Sequence, residues 1–335
     1  ARMQRNEFIR ICGLAWTGMV LPLIRFNIGK SDPMAQHEMQ DVIIIGGSYS
    51  GLAAAMALGR SLKKVMIFDS GLPCNRQTPH SHNFLTQDGI APKAIADIAK
   101  SQVLQYPTVQ FMHGEVVDAR LSSDGYEIYT SDGKLFSARK LLFATGIRDI
   151  LPDIPGLAAC WGISVLHCPF CHGYEVRHQA TGILGNSDSG FELAGLLSNW
   201  TDQLTIYTNG KADFTPEQVQ KLAEHNISVN ETEIAQLIHA KGQLIHMLFK
   251  DGHTSEIQAL YVRTAFQQHS PLPEKLGCML TPEGYIQTDA QQQTTVPHIY
   301  ASGDNTTRMR TVANAVAAGT MAGISITKSL VAASF

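Results

Sequence analysis

The strongest constraint on the fold is a short segment near residue 46. An apolar run, Asp41-Val-Ile-Ile-Ile45, leads directly into Gly46-Gly-Ser-Tyr-Ser-Gly51, which opens an Ala-rich stretch from Leu52 to Leu62. Lys64-Val-Met-Ile-Phe68 follows and ends at Asp69. Continuous apolar runs of this length suit strands buried on both faces of a parallel sheet, and the Ala-rich stretch between them reads as the crossover helix of a βαβ unit. Gly46-x-Ser48-x-x-Gly51 departs by one residue from the glycine fingerprint of dinucleotide-binding loops. The first glycine permits the tight turn, the last lets helix pack on strand, and Ser48 is small enough to let the backbone approach a pyrophosphate. The helix N-terminus supplies free amide groups and a positive dipole end for the phosphates. Asp69, 18 residues beyond Gly51, offers a carboxylate to an adenosine ribose.

The pattern then repeats. Pro92–Lys100 reads as a helix, and alternating stretches at 115–120, 125–130 and 134–136 form a small antiparallel excursion with turns at Asp124-Gly125 and Asp132-Gly133. Lys140-Leu-Leu-Phe-Ala144 is a further buried strand ending in Thr145-Gly146. After Pro152 and Pro155 a second unit begins. A strand at 179–184 meets Gly185-Asn-Ser187-Asp-Ser-Gly190, a helix spans 191–200, and a strand spans 203–207. This second loop lies about 140 residues after the first, so the spacing predicts an internal duplication. His298–Ser302 leads into Gly303-Asp304, and a small-residue-rich helix covers 313–330.

Cys168-Pro-Phe-Cys171 is the chemical centre. Two thiols at this spacing close a small ring and cycle between dithiol and disulfide, and the setting lowers the pKa of one of them. A zinc site would need a second ligand pair at similar spacing, and no other CxxC or CxxH exists; only His167 and His172, beside the cysteines, keep that alternative open. The other cysteines, Cys12, Cys74, Cys160 and Cys278, read as free thiols. His172 follows the second cysteine directly and can exchange a proton as thiolate forms or leaves. Glu175 is placed to orient it. His80 and His82 sit in the polar segment 71–89.

From about Asp41 to Gly323 these features together resemble the low-molecular-weight thioredoxin reductase family of flavoproteins. The resemblance implies FAD as cofactor, a homodimer, and a central domain that rotates. It implies that Ala144-Thr145-Gly146 closes the FAD domain, that Asp304 of Ala301-Ser-Gly303-Asp304 reaches the ribityl chain, that Cys171 lies against the flavin, and that Cys168 attacks the substrate disulfide. It also brings the 71–89 segment near the flavin, where His80 and His82 would tune its protonation or line the dithiol route.

This chain departs from the family in three ways. His172 stands where the family has Asp, which makes the local string similar to the dithiol oxidases of the gliotoxin type. Ser187 replaces the middle glycine of the central loop. Tyr207-Thr-Asn-Gly210 stands where NADPH-binding members carry a basic cluster, with nothing basic until Lys211. A phosphate is held best by an arginine fork, so the segment argues against a competent NADPH site and leaves the donor open, reduced ferredoxin included. Relatives without the clamp can cover the flavin with an aromatic C-terminal tail, a role open here to Phe335.

The expected fold is therefore α/β, with two Rossmann-like domains of the three-layer ββα type, the second inserted in the first. Residues 40–150 and 270–335 would bind FAD, and residues 151–269 would carry the cysteines. The expected activity is a FAD-dependent exchange of electrons with the Cys168/Cys171 pair and on to a thioredoxin-type disulfide. The alternatives are a small-molecule dithiol oxidase that uses oxygen, and a flavin-binding redox sensor. A net charge of −3 points to neither nucleic acid nor an anionic membrane as partner. Residues 1–38 form an extension in which Arg5 and Arg10 precede an uncharged run, Ile11–Ile24, broken by Pro22. The run is too short to span a bilayer and resembles a signal or leader, so a cytoplasmic location is expected with export left open.

Overall fold

The computed structural model describes residues 38–335. The expectations for the N-terminal extension fall outside the described residues, apart from Glu38.

The first sheet has seven strands. Val109–His113, Val65–Asp69, Gln40–Ile45 and Leu135–Phe143 lie side by side, and Ile299–Ala301 pairs with the last of these. All four pairings are parallel. Ile43 and Ile44 are wholly buried, as expected of strands covered on both faces. The antiparallel ribbon Gly125–Thr130 and Val116–Ser122 grows from the first half of Leu135–Phe143. One nine-residue strand therefore serves two neighbours: Phe136 and Ala138 pair with the ribbon, and Leu141 and Phe143 pair with Ile299 and Ala301. Two separate strands were expected here, 134–136 and Lys140–Ala144, and one strand runs through both. Lys140 is nonetheless buried, with its ammonium 2.9 Å from both His298 Nδ1 and Ser329 Oγ.

The second sheet repeats the plan. Ser228–Asn230, Leu204–Tyr207, Thr181–Leu184, Ala259–Val262 and Val165–Leu166 form a five-stranded parallel array. A three-stranded antiparallel sheet, Ile234–Ala240, Gln243–Phe249 and Thr254–Ser255, accompanies it. The chain leaves the first sheet through Ile147–Ile150 and returns through Ala265–Gln268. These two segments pair antiparallel, so the two crossings between the sheets are also hydrogen-bonded to each other. This is the duplicated α/β arrangement expected from the sequence.

The helix Tyr49–Arg60 leaves the glycine loop and packs against the long helix Val312–Ala332. The two come very close: a Cβ on Gly319 would lie 2.0 Å from Ser50 O. Ala54, Ala55, Leu58, Ala322, Ile326 and Leu330 fill the seam. This contact sets the start of the first helix, and with it the glycine loop, against the residues that follow Ala301.

Candidate active site

A cavity of about 460 Å³ runs from the glycine loop to the second cysteine. Its floor is built from backbone. Gly46 has φ +106°, and a Cβ there would lie 2.2 Å from Ala144 O, while one on Gly51 would lie 1.9 Å from Gly46 O. Only glycine tolerates either position. Ser48 precedes the first helix, and its hydroxyl makes no capping bond. Asp69 braces the loop, accepting from Gly47 N at 2.6 Å and Gly71 N at 2.7 Å. Its two oxygens retain lone pairs for a ligand. Gly146 (φ +64°) and Gly303 (φ +94°) turn the chain at the cavity wall, Gly303 close against Ser50.

A buried charged cluster lies further along the wall. Arg310 grips Asp149 with two hydrogen bonds of 2.9 and 2.7 Å, and Thr264 Oγ1 donates to the same carboxylate at 2.6 Å. Burial works against the Asp149 charge, but the Arg310 guanidinium outweighs it and holds the carboxyl below its ordinary value. Asp304 lies 3.8 Å from Arg310 Nε, and burial pushes its carboxyl up against that attraction. Cys74 Sγ is 3.9 Å from Asp304 Oδ2.

His167 stacks on Trp161 with ring centroids 5.7 Å apart. Burial, followed by the charge of Arg310, pushes its imidazole down to about 4, so it is neutral at physiological pH. His167 Nε2 and Arg310 Nε are buried without a hydrogen-bond partner. Both residues line the cavity. Orphaned polar atoms beside a loop that admits no Cβ fit a bound polar ligand.

Cys168 and Cys171 are joined as a disulfide. Cys168 caps the short helix Pro169–His172, which turns Cys171 and His172 toward the cavity. Cys171 lines it and Cys168 is not part of the lining. Burial pushes the His172 imidazole below its ordinary value, Glu175 pulls it part of the way back, and His82 pushes it down again. Glu175 makes its ion contact with His82 Nδ1, at 3.6 Å, rather than with His172. His82 sits edge-on to His172 with ring centroids 6.5 Å apart.

The aromatic C-terminus is not found at the site. Phe335 is fully exposed and lines no part of the cavity, because its amide continues the last helical turn to Val331 O and carries the terminus onward with the helix. Within this chain, then, the aromatic terminus does not cover the site. The charged cluster of Asp149, Thr264 and Arg310 was not singled out from the sequence, and His167 was noted there only as a neighbour of the cysteine pair.

The second glycine loop is closed on itself. Asn186 Oδ1 accepts from Ser187 N at 2.9 Å and Asp213 N at 2.8 Å, and its amide donates to Lys211 O at 2.9 Å. Ser187 Oγ donates to Asp213 Oδ2 at 3.0 Å. Asp188 stands in the first turn of the helix, held by Gln218. Glu231 accepts from Ala212 N at 2.6 Å. One amide of this helix end, Ser187 N, is thus taken by the chain itself, and the carboxylates of Asp188, Asp213 and Glu231 flank the loop.

Residues 40–319 match the family model described as pyridine nucleotide-disulphide oxidoreductase. The chain is 30% identical to thioredoxin reductase tcpT of Claviceps purpurea, over 87% of this chain and 94% of that protein. Among solved structures, an oxidoreductase from Agrobacterium tumefaciens superposes with a TM-score of 0.82 at 36% identity, covering 88% of this chain and 99% of that one. The putative thioredoxin reductase TrxB of Bacillus anthracis superposes with a TM-score of 0.85 at 31% identity, covering 88% and 100%.

Proposed function

Given that the chain belongs to the pyridine nucleotide-disulphide oxidoreductases, of the low-molecular-weight thioredoxin reductase type, we propose that electrons enter it through the Cys168–Cys171 pair, from a small dithiol, and not from NADPH. The observation that carries this is the self-bonded central loop. A dinucleotide pyrophosphate needs the amide end of the Ser187–Leu197 helix. There the Ser187 amide is taken by the Asn186 side chain, and the Ser187 hydroxyl is tied to the Asp213 carboxylate. Two like charges about 4 Å apart repel by roughly 1 kcal/mol in water and roughly 4 kcal/mol near a protein surface. With no arginine fork in 207–211 to offset this, the loop disfavours NADPH.

The family makes FAD the cofactor, and the glycine cradle at 46–51, Asp69, Gly146, Gly303 and Asp304 would hold it. When bound, FAD would supply a two-electron acceptor whose electrons molecular oxygen could take up, giving hydrogen peroxide. The chain's own residues do the sulfur chemistry. One substrate thiol loses its proton to His172, which burial keeps neutral and ready. The thiolate attacks Cys168 Sγ, the sulfur outside the cavity lining, and Cys171 leaves as thiolate on the cavity side. The second substrate thiolate then attacks the substrate sulfur of the mixed disulfide, and Cys168 leaves. The net change is dithiol plus oxygen to disulfide plus hydrogen peroxide.

An oxygen electrode tests this reading. With dithiothreitol and no nicotinamide, one oxygen consumed per disulfide formed is the expected result. Oxygen uptake that starts only when NADPH is added would overturn it. The opposite flow, from reduced ferredoxin onto a thioredoxin-type disulfide, draws support from one feature: Phe170 and Tyr174 are 61% and 65% exposed beside the disulfide, where a protein partner could dock.

A further inference from the structure

Oxidising a dithiol removes two protons, and His172 can hold only one. Unless the first proton leaves before the second thiol reacts, the second attack meets an imidazolium in place of a base. The next group along must therefore accept that proton, and the structure offers a specific candidate.

His82 lies on the loop between Asp69 and the Pro92–Val103 helix, and its ring meets His172 edge-on at 6.5 Å. Its Nδ1 faces two carboxylates, Asp88 Oδ1 at 3.7 Å from its own loop and Glu175 Oε1 at 3.6 Å from the turn after Cys171. Its side chain is 20% exposed, enough to meet water. His80 follows outward, with ring centroids 6.4 Å from His82, an exposed side chain, and Nδ1 3.0 Å from Gly89 O. The titratable groups facing His82 are therefore His172 on the cysteine side, Asp88 and Glu175 beside it, and His80 on the solvent side. Two carboxylate oxygens thus stand 3.7 and 3.6 Å from His82 Nδ1, whereas burial pushes the His172 imidazole below its ordinary value.

Resting on the dithiol reading above, we propose that His82 is a positioning residue that takes the first substrate proton from His172 and passes it to solvent, so that the second thiol again meets a neutral base. Glu175, expected from the sequence to orient His172, makes its ion contact with His82 and favours a proton on His172 as well. The proton balance closes: two S–H protons leave the substrate in succession through His172, two thiolates appear at Cys171 and Cys168, and one S–S bond is exchanged for another.

The test mixes oxidised holoenzyme anaerobically with dithiothreitol across a pH series. Rapid quenching with an alkylating agent counts the new thiols at Cys168 and Cys171, and flavin absorbance is followed in parallel. His82→Gln is expected to slow thiol appearance by about tenfold to a hundredfold near pH 7, the low end of what acid–base groups contribute. The deficit should shrink at high pH, where the substrate ionises unaided, and imidazole added to the buffer should restore the rate. His82→Phe, which keeps a flat ring without a proton site, should behave in the same way. A wild-type rate and pH profile in both variants would overturn the inference, as would a slowing that imidazole leaves untouched. If wild-type enzyme itself yields no thiols with dithiothreitol, the dithiol reading falls and the inference with it. A wild type that reacts normally beside an unaffected His82→Gln removes the inference alone.

Discussion

Cys171→Ser is expected to lower dithiol-driven reduction of the flavin by at least about a thousandfold, while FAD content stays at the wild-type level. The two sulfurs act as one unit, so removing either forfeits nearly the whole exchange. Serine cannot leave as a thiolate and cannot close the ring with Cys168. FAD content should hold because the glycine cradle at 46–51 makes no use of the cysteine, which only lines the far end of the same cavity. Cys168→Ser should be equally inactive. Flavin reduction by dithiothreitol, scored beside the absorbance ratio of flavin to protein, checks both statements. Retained reduction in either variant would mean that dithiols reach the flavin without the pair.

Arg310→Ala is expected to cost roughly 3–5 kcal/mol of stability at neutral pH, the usual result of removing one partner of a buried ion pair. The Asp149 and Arg310 side chains are only 8% and 12% exposed. Without the guanidinium, the Asp149 carboxylate would keep one hydrogen bond, from Thr264. The place matters as much as the energy. Asp149 lies on Ile147–Ile150 and Thr264 immediately precedes Ala265–Gln268, so the cluster ties both crossing segments to the loop before the Val312–Ala332 helix. The folded state holds the Asp149 carboxyl below its ordinary value. Its contribution is therefore fully present above the unfolded value, near 3.9, and fades as the pH falls through the folded one. Urea unfolding should show a large gap between wild type and Arg310→Ala at pH 7 and a narrowing gap in acid. A gap that stays constant would mean that the guanidinium serves as packing and not as a charge partner. Replacing both residues by Leu and Met should recover much of the loss.

Legibility in the sequence followed the range of the interactions. The unit from Asp41 to Asp69 could be read because its signal is local: an apolar run, a glycine turn and a helix in one stretch. The disulfide could be read for the same reason, since both sulfurs sit on one helical turn. Lys140 was placed at the start of a strand and lies buried inside a longer one. Its partners, His298 and Ser329, come from 158 and 189 residues away. Asp149 is 161 residues from Arg310 and 115 from Thr264, so no spacing rule links them. At the second loop, the sequence showed what was lacking after Tyr207. It did not show that Asn186 and Asp213 tie the loop shut, which depends on side chains folding back across 25 to 27 residues. Phe335 looked functional by residue type, and its position past the end of a regular helix made the difference.

The most direct test of the account is anaerobic rapid mixing of the flavoprotein with NADPH, NADH, reduced ferredoxin and dithiothreitol in turn, watching the flavin band. The account predicts bleaching by dithiothreitol and none by either nicotinamide. Fast bleaching by NADPH would contradict it, because the Asn186–Asp213 closure would then have to open for a dinucleotide and electrons would enter from the opposite side.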